Sequence, residues 1–194
     1  LTAWTGVDAL VHAIEAYVID DFHPLCDASA IEGLRLIYPN LPIVYNDPSN
    51  LEARGKMLVG SCLAGISFLK GLGFVHAISH MVGAEFDTQH GLTNAIVLPS
   101  VLKYNRHVMD KKIPIMSEAM GLKKNDFDNF YQSFCNLLDQ LEIPKNLKEI
   151  GVEASSVERL AEKALKDSAF ATNPRTASLE EMVDLINISM NKGR

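Results

Sequence analysis

Read as a pattern of apolar and polar positions, the chain is helical almost from end to end. Ala9, Leu10, Ala13, Ile14, Tyr17 and Val18 recur at helical spacing within residues 7–18, which lines one side of a helix with apolar groups. A second pattern covers 26–37, and Pro24 just before it suits a first helical turn. Tyr38-Pro39 is expected to end that helix, because a proline disfavours helical backbone at the residue before it. Asn46-Asp47-Pro48-Ser49-Asn50 reads as a turn, with Ser49 capping a long helix over 51–68. Gly71-Leu72-Gly73 interrupts, a short helix is expected over 75–82, and 83–92 reads as loop. A further helical stretch covers 94–104 through the break at Pro99, followed by 113–120, 127–141, 157–169 and 179–190. Asp126 and Ser156 are placed to cap helices, and Ser178 with Glu181 fits the capping box. No run of alternating β-branched residues competes with this pattern, and no repeat or low-complexity segment interrupts it. The expectation is one all-α domain over residues 1–194.

Composition narrows the class. With 47% hydrophobic and 22% charged residues the chain can build a core and is not of the disordered type. Eighteen basic and 24 acidic side chains leave a net charge of −6, and no basic cluster exceeds the pairs Lys111-Lys112 and Lys123-Lys124. No nucleic-acid or membrane partner is therefore expected. No signal-peptide pattern and no apolar run of bilayer length is present, so a cytoplasmic location is expected. Three widely spaced cysteines argue for a reducing compartment, with Cys62 and Cys135 expected in the core. The chain opens at Leu1, without Met, directly onto a helical pattern, which reads as part of something longer.

The chemistry lies in the histidines. Asp8 and His12 stand four apart, as do His76 and His80, and on a helix each pair shares one face. His90 follows ten residues later beside Gly91. A carboxylate with several imidazoles is a mixed oxygen and nitrogen donor set, suited to Fe2+ or Zn2+ and much less to Ca2+ or Mg2+. A hydrolytic His-Glu-x-x-His site is excluded because Ala77 follows His76. His23 before Pro24 reads as a turn residue and His107 as a surface one. Gly71-x-Gly73-x-x-His76 is not a dinucleotide fingerprint, since an imidazole stands where the third small residue belongs and no strand precedes it. Spacing alone does not decide which of His76 and His80 would bind a metal.

Several segments resemble one family. Thr5-Gly6-Val7-Asp8-Ala9-Leu10-Val11-His12-Ala13-Ile14-Glu15-Ala16-Tyr17 is similar to the metal-ligating helix of iron-containing alcohol dehydrogenases, and His23-Pro24-Leu25-Cys26-Asp27 to the element that follows it. Gly71-Leu72-Gly73-Phe74-Val75-His76-Ala77-Ile78-Ser79-His80 and His90-Gly91-Leu92-Thr93-Asn94-Ala95-Ile96-Val97-Leu98-Pro99 resemble the signature region, and Asn173-Pro174-Arg175 the last interhelical turn. The resemblance implies the dehydroquinate-synthase-like helical C-terminal domain of that family, with an N-terminal nucleotide-binding domain absent. It implies Asp8, His12, His76 and His90 as metal ligands, and His80 as an unliganded residue that meets the nicotinamide and the substrate. Fe2+, with Zn2+ as a substitute, and NAD or NADP in the full-length protein are the implied cofactors. A small alcohol or aldehyde is the implied substrate, and the chain alone is expected to be inactive. The face that meets the nucleotide domain is expected to be exposed and apolar, which favours a homodimer. Met81-Val82, Gln89 before His90 and the short Leu69-Lys70 link depart from the commonest family pattern, near where substrate would lie. The competing reading is a non-catalytic metal-binding or interaction domain.

Overall fold

A computed structural model describes residues 1–191. Nine α-helices, joined by short turns of 3-10 helix, account for most of them, and no strand occurs among the described residues. In chain order the helices are α1 (Thr2–Val18), α2 (Pro24–Asn46), α3 (Leu51–Ser67), α4 (Phe74–Phe86), α5 (His90–Met109), α6 (Ile113–Ala119), α7 (Phe127–Gln140), α8 (Val157–Ala164) and α9 (Leu179–Asn191). The all-α class follows the expectation, with several boundaries moved.

Two helices form the centre. α1 is buried along most of its length and packs against α2, α3 and α5. α5 is buried through most of its first three turns and packs against α1, α4, α7 and α9. A helix buried on every side belongs in the middle of a domain. The last carbonyls of α1 have no donor in their own chain segment. Lys112, at the start of α6, supplies one, donating to Tyr17 O at 3.0 Å and Ile19 O at 2.7 Å.

α2 does not stop at Pro39. It continues through Pro39 and Pro42 to Asn46, although each interior proline costs about 3 kcal/mol. Continuation seats Leu41 and Val44 in the core, at about 1.5–3 kcal/mol each. The Asn40 and Asn46 side chains also donate to Leu36 O and Pro42 O at 2.7 and 2.8 Å. Tertiary burial thus overrides the local signal. The cap of α3 is Asn50, which accepts from Ala53 N–H at 3.0 Å, while Ser49 turns back to Asp47. Asp126 caps α7 as expected, and Ser178 and Glu181 form the reciprocal capping box. Ser156 does not cap α8, because its hydroxyl donates to Glu153 O instead. The helix expected over 157–169 ends at Ala164, and a 3-10 turn over Ser168–Phe170 follows.

Cys135 is buried as expected, whereas Cys62 is exposed. The apolar neighbours of Cys62 lie on the outward face of α3, where Leu58 and Val59 are 74% and 55% exposed. Among the described residues no single helix is long and apolar enough to cross a membrane.

Candidate metal centre

The segment expected to be loop between 83 and 92 is mostly helix. α4 runs to Phe86, Asp87 turns in the left-handed region at φ 53°, and α5 starts at His90. Gln89 caps that start, accepting from Leu92 N–H at 2.6 Å. His90 is therefore the first residue of a helix, aimed by a capped terminus. Gly91 next to it lies against α1, where a Cβ would run into the Trp4 carbonyl and the Asp8 side chain. The missing side chain is what lets α5 approach α1 closely enough for His90 to reach Asp8.

Three ligating atoms converge there from three helices. Asp8 Oδ1 of α1 lies 3.7 Å from His76 Nε2 of α4 and 3.4 Å from His90 Nε2 of α5. One ligand atom from each lies within 4.8 Å of the others. His12 stands beside this trio, with Nδ1 3.7 Å from Asp8 Oδ2 and its ring 4.5 Å from that of His76 and 5.1 Å from that of Phe68. Burial, helped by the neighbouring His76, pushes the His12 imidazole below its ordinary pKa. Burial does the same to His90, against the opposing pull of Asp8. Both rings are thus held neutral near pH 7, the form that carries a lone pair for a metal.

Glu15, which the sequence pattern did not single out, organises the trio. Glu15 is 4% exposed, and its carboxylate accepts from Gly73 N–H at 2.9 Å, from Val75 N–H at 2.7 Å and from His76 Nδ1 at 2.6 Å. The first two are orphan donors at the start of α4, where a negative group is also favoured by the helix dipole. Asn173 accepts a third, from Phe74 N–H at 3.2 Å. Gly73 has no Cβ to collide with either acceptor. An ionised carboxylate only accepts hydrogen bonds, so His76 carries its proton on Nδ1 and turns the Nε2 lone pair toward Asp8 and His90.

Asn94, one helical turn after His90, is the second residue missed. Its Nδ2 lies 2.6 Å from Asp8 Oδ1, 3.2 Å from His76 Nε2 and 3.1 Å from His90 Nε2. Asp8 Oδ1 and the His76 Nε2 lone pair, joined by His90 Nε2 in its Nδ1–H tautomer, thus face one amide with two protons, and Asn94 Oδ1 is buried with no partner. That surplus of converging lone pairs, one carboxylate and two or three imidazoles, fits a divalent cation of the Fe2+ or Zn2+ type. His80 adds no ligating atom to the trio. Its ring stacks on His90 at 5.5 Å, its side chain is 36% exposed, and its Nδ1 lies 3.1 Å from Asp167 Oδ2.

A profile of the Fe-containing alcohol dehydrogenase family, C-terminal, matches residues 2–190. The chain belongs to this family. It is 39% identical over 186 residues to the probable alcohol dehydrogenase EutG of Escherichia coli (strain K12), covering 95% of this chain and 47% of the relative. It is 36% identical over 191 residues to the NADPH-dependent butanol dehydrogenase of Clostridium saccharobutylicum, covering 94% of this chain and 49% of the relative. The crystal structure of a 1,3-propanediol oxidoreductase superposes with a TM-score of 0.94 at 36% identity, covering 98% of this chain and 52% of the other. The chain therefore spans about half the length of the relatives it matches. The fold is the C-terminal helical domain of iron-containing alcohol dehydrogenases.

Proposed function

We propose that this chain is the metal-binding catalytic half of an NAD(P)-dependent alcohol dehydrogenase, which moves a hydride between a small alcohol or aldehyde and nicotinamide. The convergence of Asp8, His76 and His90 on one point carries the reading. Fe2+, or Zn2+ in its place, would be held by Asp8, His76 and His90 with His12 alongside, and when bound supplies Lewis acidity toward an alcohol oxygen. The nicotinamide is the hydride partner, and its binding is assigned to a nucleotide-binding domain outside these 194 residues. On this reading the chain by itself does not turn over.

The chain's own residues perform the remaining tasks. Asp8 supplies the one negative charge of the donor set, and the neutral rings of His90 and His12 supply lone pairs without repelling a cation. Glu15 holds the His76 ring in one tautomer and one orientation. His80, partly exposed and unclaimed by the trio, faces the reacting partners and exchanges the hydroxyl proton or orients the cofactor. The outward row of Leu51, Leu58, Val59 and Leu69 on and beside α3 supports an apolar contact surface and a homodimer. No nucleic acid or membrane enters this reading.

Calorimetric titration of the metal-free chain with Fe2+ under anaerobic conditions, or with Zn2+, is expected to show one site per chain. Asp8→Ala and His76→Ala are each expected to abolish it. Titration with NAD or NADP is expected to show no saturable binding to this chain, and a tight complex would overturn the domain assignment. A full-length relative carrying both His76→Ala and His90→Ala equivalents that retained its activity would overturn the mechanism.

A further inference from the structure

We infer that Asp167 is a positioning residue that fixes His80 as the Nδ1–H tautomer and presents Nε2 as an acceptor to the reacting partners. The inference rests on the reading of His80 as the residue that meets substrate or cofactor, and it decides between the hydrogen-bonding roles open to that ring.

The two residues stand 87 positions apart, and the fold brings His80 Nδ1 to 3.1 Å from Asp167 Oδ2. Both oxygens of Asp167 are occupied. Oδ1 accepts from Ala169 N–H at 2.8 Å at the start of the 3-10 turn Ser168–Phe170, and Oδ2 is left for His80. The Asp167 side chain is only 12% exposed, and the partner its second oxygen has within the chain is His80 Nδ1. An ionised carboxylate accepts and never donates, so the proton between the two groups belongs to His80 Nδ1. The neutral ring then carries its lone pair on Nε2, which accepts a proton or a hydrogen bond and cannot donate one.

Three contacts hold this geometry. Asp167 N–H donates to Ala164 O at 3.1 Å, tying the residue to the end of α8. Arg159 and Lys163 of α8 both grip Glu85 of α4, five residues beyond His80, with Lys163 at 3.0 Å. The His80 ring lies nearly parallel to that of His90, with centroids 5.5 Å apart and an interplanar angle of 16°. The ring is therefore clamped from one edge and one face, with Nε2 on the edge away from Asp167. A solvated imidazole has no such bias, and a purely packing role for His80 does not require one tautomer.

The test reads the tautomer directly. Nitrogen chemical shifts and two-bond nitrogen–proton couplings of the His80 ring are measured in the metal-free chain near pH 8.5, without nicotinamide, for the wild type and Asp167→Asn. The wild type is expected to be predominantly Nδ1–H. In Asp167→Asn the single oxygen stays on Ala169 N–H, the amide N–H faces Nδ1, and the ring is expected to switch to predominantly Nε2–H. Asp167→Glu is expected to restore part of the Nδ1–H population. A wild-type ring that is predominantly Nε2–H, or an Asp167→Asn ring unchanged from wild type in a chain of unchanged helicity, would overturn the inference. Loss of metal binding in the calorimetric titration would overturn the functional reading while leaving the tautomer result intact, so the two failures are distinguishable.

Discussion

A buried carboxylate costs several kcal/mol unless its lone pairs are matched, and Glu15 matches them with two backbone N–H groups and one imidazole. That arrangement couples the start of α4 to the orientation of His76. Glu15→Gln keeps the size and loses an acceptor, so it is expected to lower Fe2+ or Zn2+ affinity about 10–100-fold, measured by competition titration against a chelator of known affinity. Unchanged affinity in a folded variant would remove Glu15 from the site. Gly91 carries a second prediction. A methyl group there meets the Trp4 carbonyl, and Gly91→Ala is expected to cost about 1–3 kcal/mol in urea unfolding and to loosen metal binding, because relief of the clash moves His90 away from Asp8. At this scale the sequence was informative where chemistry repeats at helical spacing. Asp8 and His12, like His76 and His80, could be nominated from their four-residue separation alone. Glu15 carried the same kind of signal, an acid amid Ala13, Ile14 and Ala16 and seven residues from Asp8. Asp167 carried none, because its partner lies 87 residues away and only packing joins them.

The helices show why pattern reading succeeds for some elements and not for others. α7 and α9 are set by apolar spacing and local caps, and their extents follow the pattern closely, whereas α1 starts at Thr2, ahead of the expected residue 7, with no side-chain cap. α2 and α5 contain prolines that act locally against the helix, yet the surrounding core favours continuation. The start of α5 at His90 was obscured because Gly91 and the polar residues near it resemble a loop, whereas Gln89 caps the first turn. Contacts between elements are open to test at one charged node. Glu85 of α4, gripped by Arg159 and Lys163 of α8, is held at a pKa of about 2, chiefly by the Arg159 hydrogen bond. Its folded pKa lies below the ordinary carboxyl value of 4.5, so its contribution is complete above pH 4.5 and fades as the pH falls toward 2. Urea unfolding of the wild type and Glu85→Gln should therefore differ by a small, constant amount from pH 7 down to about pH 5, and the gap should close as the pH drops toward 3. A gap that stays constant through pH 3 would show that α8 is held to α4 by packing alone.

Across the whole molecule, the candidate ligands come from α1 and from the consecutive pair α4 and α5, with α2 and α3 between them in sequence. Asp8 lies near the start of the chain on α1, while His76 and His90 sit on either side of the α4–α5 turn. The buried surroundings reinforce this junction. Asn173 links α4, α5 and the last interhelical turn, accepting from Phe74 N–H and exchanging paired amide bonds of 3.0 Å with Asn105. A cation bound by Asp8, His76 and His90 therefore joins α1 to the α4–α5 turn, and it binds the folded chain far better than an unfolded one in which these side chains are scattered. Linkage then gives the size of the effect. At a free metal concentration of 100 times Kd the folded state gains about 2.7 kcal/mol, which for a domain of this size raises Tm by roughly 5–10 °C. Thermal unfolding followed by circular dichroism, with metal-free chain, Zn2+-loaded chain and loaded chain after addition of a chelator, should show the rise and its reversal. Asp8→Ala should unfold at a temperature that Zn2+ no longer changes. If the rise survived in Asp8→Ala and His76→Ala alike, the stabilising ion would be bound elsewhere, and the convergence of α1, α4 and α5 would have to be explained by packing alone.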